Sequence, residues 1–168
     1  MSISVITTVG GATANSYVSV ASADDYFDRR NESEAWLKLI ENSTGTLSAT
    51  DKRGALLIQA TREIDKTFRF FGSKDGSSIR GDAEYQNLEF PRADDVNADG
   101  DLIIPDEVKY AAFEQAIWIQ QRAAVQTNQD GVVISQPKFS DLAYDYLKPW
   151  VTRAAVRVGR YSWQGSDY

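Results

Sequence analysis

The chain has 168 residues, 42% hydrophobic and 25% charged, with a net charge of −6 and neither cysteine nor histidine. That is enough chain for one domain with a real core, and no apolar run reaches the roughly 18–20 residues that cross a bilayer. The missing side chains exclude disulfides, zinc–sulfur sites, serine triads, Cys–His pairs and facial-triad iron sites, so an enzyme is not expected.

From the N-terminus, Ile3 to Val9 reads as a short β-like run ending at Gly10-Gly11, an arm or an edge strand. The opening MSISVITTVGGAT has no basic start and no long apolar stretch, so no secretory signal is expected there. Ser19 is a good N-cap, and Val20, Ala23, Tyr26-Phe27 and Arg30 follow at helical spacing. A second short helix carries Ala35, Trp36, Leu37 and Ile40, and ENSTGTL breaks it. Ser48 to Asp51 then resembles a capping box, and Leu57, Thr61, Ile64, Phe68 and Phe71 form one stripe that Gly72 closes as C-cap.

Pro105 suits the first turn of the next helix, which runs to Val125. Val108, Ala111, Ala112, Gln115, Ala116 and Ile119 form one row, while Tyr110, Phe113 and Ile117 form a second. A helix apolar on two sides is buried from two directions, and Tyr110, Phe113 and Ile117 are the expected contact with a neighbouring subunit. NQDGVVIS reads as a turn and short strand, and DLAYDYLKPWV as one or two helical turns stopped by Pro149. RAAVRVGRYSW alternates like a strand that needs a partner, in its own domain or another chain. The expected fold is mainly α: a small bundle of about four helices, a long acidic loop and a short β element. Residues 1–13 are an N-terminal arm, 14–127 the helical domain and 128–168 a docking tail.

Charge is segregated. Asp82 to Glu107 holds nine acids against the single base Arg92, whereas Lys148 to Tyr168 holds four bases against Asp167. In the acidic stretch, Asp95, Asn97, Asp99 and Asp106 take positions 1, 3, 5 and 12 of a calcium loop, with Gly100 sixth. Against calcium, no helix enters the loop and position 12 is Asp rather than a bidentate Glu. The preferred reading is an Asx-rich turn whose Asp106 and Glu107 complement the next helix, with no cofactor. In the tail, Trp150, Arg153, Val156, Arg157, Val158, Arg160, Tyr161 and Trp163 combine cations, strand-like apolar positions and stacking surfaces. They are the expected partner-binding residues, whether the partner is protein or a single strand.

ANSYVSVASADDYF at 14–27, AW at 35–36, DKRGALLIQATREID at 51–65, QNLEFPR at 86–92 and IPDEVKYAAFEQA at 104–116 resemble, in that order, one family. It is the family of tailed-phage and prophage proteins labelled DnaT-like single-strand-DNA-binding, many of whose members look like head–tail adaptors. The resemblance spans residues 14–123, with Phe90 where the family often has Trp, and the tail beyond residue 125 matches poorly. It implies a structural virion protein forming a dodecameric ring in the neck, assembled in the host cytoplasm. The portal and neighbouring neck or tail proteins would be its partners, and DNA only a passing genome. The alternative is a single-stranded DNA-binding accessory protein of phage replication or packaging, which the basic aromatic tail favours.

Overall fold

The computed structural model describes residues 3–30, 34–41, 48–123 and 137–154. In order they form α1 (Val20–Asp28), α2 (Glu34–Glu41), α3 (Ala49–Thr67), β1 (Phe68–Phe70), α4 (Asp106–Ala123), α5 (Asp141–Leu147) and β2 (Val151–Ala154). The mainly α expectation stands, but with five helices and a two-stranded sheet among the described residues, not a bundle of four. None of these helices is long and apolar enough to cross a membrane. The turn and strand expected at 128–135 lie outside the described residues.

Serine hydroxyls begin three helices. Ser19 Oγ accepts from Ser22 N at 3.1 Å, Ser48 Oγ from Asp51 N at 3.1 Å and Ser140 Oγ from Ala143 N at 3.3 Å. Each fills an otherwise orphaned donor of the first turn, which is worth about 1 kcal/mol. Ser48 also donates its hydroxyl to Asp51 Oδ2 at 2.7 Å, and its backbone N–H bonds to the same carboxylate, closing the expected box with Asp in place of Glu.

On α3 the stripe Leu57, Thr61 and Ile64 is fully buried and Phe68 continues it. The helix does not run on to Phe71. It stops at Thr67, Phe68 is extended (φ −116°, ψ 160°), and Phe68, Arg69 and Phe70 alternate buried, exposed, buried. The reason is tertiary. Antiparallel pairing with β2 and ring contacts from Phe68 to Phe139 (4.7 Å) and Phe70 to Phe90 (4.8 Å) outweigh another helical turn. Phe71 is left 58% exposed, and Gly72, at φ +73°, turns the chain after a strand instead of capping a helix.

The N-terminal segment makes no strand. It lies along α3, where Ile3 N–H donates to Asp51 Oδ1 at 2.6 Å. A Cβ on Gly54 would stand 2.9 Å from Val5 Cγ2, so this mid-helix glycine lets the segment approach. That approach offsets the roughly 1 kcal/mol by which glycine weakens a helix relative to alanine.

α4 packs against both α3 and α5, so its second apolar row is covered in part by its own chain. Gln115, fully buried, fixes this arrangement: its Nε2 donates to Glu63 Oε2 at 2.7 Å, and its Oε1 accepts from Ser140 N at 3.0 Å. Trp118 Nε1 donates to Pro137 O at 3.1 Å. These bonds hold the start of α5 on α4 and so set the wall of the groove described next.

Candidate functional site

A groove of about 540 Å³ opens between α1, α4 and α5, lined by Ser22, Asp25, Tyr26, Arg29, Arg30, Lys109, Tyr110, Phe113 and Tyr146. Helical spacing builds it. Tyr26, Arg29 and Arg30 sit at i, i+3 and i+4 at the end of α1, and Tyr110 and Phe113 at i, i+3 on α4. Tyr26 stacks at 25° with Phe113 (4.6 Å) and with Tyr110 (5.5 Å), and Tyr110 meets Tyr146 at 58° and 5.6 Å. The aromatic series continues inward through Phe27 to the buried Trp36.

Polar groups hold these rings in place. Tyr26 donates its hydroxyl to Glu114 Oε1 at 2.6 Å and accepts from Arg30 Nη1 at 2.7 Å. Arg30 also pairs with the buried Glu114 and lies over the Tyr26 ring, 5.4 Å from its centre. Burial pushes the Tyr26 phenol up to about 12, so it is a neutral donor at any physiological pH. Arg29 is exposed and has no ion pair among the described residues. Lys109 reaches Asp106 at 2.8 Å in a surface pair that solvent and salt readily exchange. The groove therefore offers aromatic faces beside three cations and one acid, on a protein that is acidic as a whole.

The residues expected to face a neighbouring subunit are placed here differently from one another. Phe113 is buried in the groove's floor, Ile117 is half-buried, and Tyr110 is 37% exposed at its rim. Tyr26, Arg29, Lys109 and Tyr146 were not singled out by sequence as a site, although Tyr26 and Arg30 were placed at helical spacing.

The tail begins with a partner in its own chain. β2 pairs with β1 in the register Phe68↔Ala154, Arg69↔Arg153 and Phe70↔Val151, with an irregularity between Arg69 and Phe70. Thr152 falls at that irregularity and donates Oγ1 to Arg69 O at 3.0 Å. Trp150 does not stand out as a stacking platform: it packs on the core, edge-on to Phe90 at 6.0 Å, with its Nε1 buried and unpartnered. Val156, Arg157, Val158, Arg160, Tyr161 and Trp163 lie outside the described residues.

The acidic loop keeps its oxygens for itself. Asp95, buried, accepts from Arg92 N at 2.7 Å, and Asn97 Oδ1 accepts from Asp99 N at 3.0 Å and Asp101 N at 2.9 Å. Asp106 is at the N-terminus of α4 in its pair with Lys109. Gly100 makes the turn at φ +87°, where a side chain would strain the backbone. Among the described residues no three acids converge on a metal position, and of the calcium-loop positions Asn97 makes an Asx turn while Asp95 and Asp106 take partners of their own. Thermal melts in excess calcium and in chelator should superimpose; a reproducible upward shift with calcium alone would restore the metal reading.

Against known families, a model described as "Putative DnaT-like ssDNA binding protein" matches residues 1–162. The match takes in most of the tail beyond residue 125, where the resemblance was poor. No curated protein and no solved structure matches the chain. The expectation of a virion head–tail adaptor is corrected by this result, because the matching description names single-stranded DNA binding and nothing in it speaks for a connector.

Proposed function

We propose that this chain, which belongs to the DnaT-like ssDNA-binding family, binds single-stranded DNA as a non-enzymatic accessory protein. The observation that carries the reading beyond the family description is the groove of tyrosines flanked by Arg29, Arg30 and Lys109. Proteins that bind single strands pair cationic groups, which track the phosphates, with aromatic faces on which bases stack. A net charge of −6 argues against a broad basic footprint, so the contact is local and short.

Fluorescence anisotropy of a labelled single-stranded oligonucleotide tests this. Binding in the micromolar range is expected at low salt. With each phosphate contact contributing roughly −0.7 to the slope of log affinity against log salt, Arg29 and Lys109 together predict a slope of about −1.4, Arg30 being engaged with Glu114. An absence of binding at the lowest salt, or equal affinity for duplex, would overturn the proposal.

A further inference from the structure

The three groove tyrosines are not equivalent. Tyr26 is committed, stacked with Phe113 and Tyr110 and hydrogen-bonded to Glu114. Tyr146 is half-buried and meets Tyr110 at a tilt instead of stacking on it. Tyr110 alone of the three is exposed, and it is one of the few large apolar side chains on the described surface that is.

The charges around it also divide. Arg30 is engaged with Glu114 and Tyr26. Arg29 is exposed without an ion pair among the described residues, and Lys109 holds only the surface pair with Asp106. Asp25, one residue before Tyr26, is the one acid in the lining.

We propose that this groove seats one unpaired base of a DNA strand against Tyr110, with the flanking phosphates held by Arg29 and Lys109. The proposal rests on the single-strand-binding reading above and assigns that binding to a place. The groove's 540 Å³ lies within the roughly 300–1,000 Å³ of clefts that enclose small ligands, so a base with its sugar fits. A free base has an open face for Tyr110, whereas both faces of a base inside a duplex are already stacked, so the seat selects single strands without reading sequence. Asp25 repels phosphate from its own side and confines the backbone to the side of Arg29 and Lys109.

The test uses the full chain with a single-stranded oligonucleotide carrying one 5-iododeoxyuridine. Ultraviolet crosslinking followed by peptide mapping should place the crosslink on the α4 segment containing Tyr110. In anisotropy titrations Tyr110→Ala should weaken binding by about tenfold, the usual scale for one lost stacking partner, while Tyr110→Phe retains it. Arg29→Ala should weaken binding and make the salt slope shallower. Asp25→Asn should tighten it more than Asp82→Asn does, since Asp82 is an exposed acid outside the groove.

If the wild-type chain binds and Tyr110→Ala binds equally well, the groove is not the seat, although single-strand binding stands. If wild type binds no oligonucleotide, the underlying reading fails with it. Arg29 is exposed, so its variant should melt as wild type does, whereas Tyr110→Ala also loses ring contacts with Tyr26 and Tyr146 and should melt somewhat lower while staying folded. Should Tyr110→Ala unfold, Arg29→Ala and the crosslink position decide alone, and a crosslink elsewhere overturns the assignment.

Discussion

Stability should fall as pH rises from about 4 to about 7, and Asp65→Asn should flatten that slope. Asp65 accepts a hydrogen bond from the Tyr17 hydroxyl on one oxygen and from Glu89 N–H on the other at 3.2 Å. Burial pushes its carboxyl up to about 7 from an ordinary 3.8, more than the Tyr17 and Glu89 hydrogen bonds pull it back. The folded chain thus holds a proton that the unfolded chain releases above pH 3.8, and the stabilisation is full below that value. It is lost as pH rises toward 7 and is gone above it.

At about 1.4 kcal/mol per pH unit, that window is worth up to roughly 4 kcal/mol, less to the extent that water reaches the carboxylate. Asp95, also raised by burial, acts in the same sense. Glu34 and Asp51, held low by Lys38 and by Ile3 N–H respectively, act in the opposite sense, but only at and below their ordinary values of 4.5 and 3.8. Denaturant titrations between about pH 4.5 and about pH 8 measure the slope directly. Asp65→Asn should stay close to wild type at the acid end, because its amide, like the protonated acid, offers one carbonyl oxygen to Glu89 N–H and one donor to the Tyr17 hydroxyl. It should match or exceed wild type above pH 7. A flat wild-type profile, or an unchanged slope in the variant, would show that Asp65 is ionised in the native state.

Asp65 also shows what a sequence can hide. It sits one residue past Ile64 and four past Thr61, beside the apolar stripe of α3, and nothing local distinguishes it from a solvated acid. It becomes partly buried because the loop carrying Glu89 and Phe90 folds over it, and Tyr17 comes from another element. The helices, by contrast, were legible, since a Ser cap and a 3.6-residue stripe are both local signals.

β1 was not legible. Phe68-Arg69-Phe70 is compatible with either a last helical turn or a strand, and the choice rests on pairing with residues 151–154, far along the chain. The groove was half legible. Tyr110 and Phe113 stood out as a second apolar row, but which faces would meet them required knowing that α1 and α5 flank α4. Nothing local marks Arg29 and Arg30 as site residues, and Glu114, buried beneath Arg30, comes from a distant helix. Sequence placed the expected partner-binding residues in the tail, most of which lies outside the described residues, whereas among the described residues cations and aromatic faces come together between helices.

Phe90→Ala should cost about 3–5 kcal/mol, the scale for emptying a fully buried aromatic site. Phe90 is 1% exposed and meets three rings edge-on: Phe70 at 4.8 Å, Tyr17 at 5.9 Å and Trp150 at 6.0 Å. Those rings come from β1, from the segment before α1 and from the turn entering β2, so one side chain ties together three parts of the chain that are distant in sequence. The Arg92 guanidinium lies over Phe90 and Phe70 at 5.4 and 5.5 Å and depends on both faces.

For a domain of this size, each kcal/mol lowers Tm by roughly 2–4 °C, so the variant should melt about 6–20 °C below wild type. Because Trp150 loses its edge contact, amides of the β1–β2 ribbon should also exchange hydrogen faster than those of α3 and α4 in the same variant. Phe90→Trp should behave differently. The site is closed on all sides, so the larger ring must shift its neighbours, at a cost of about 1–3 kcal/mol. A neutral Phe90→Trp would mean that the ribbon and the Arg92 loop yield to admit the indole, and that Phe90 and Trp are interchangeable at this junction.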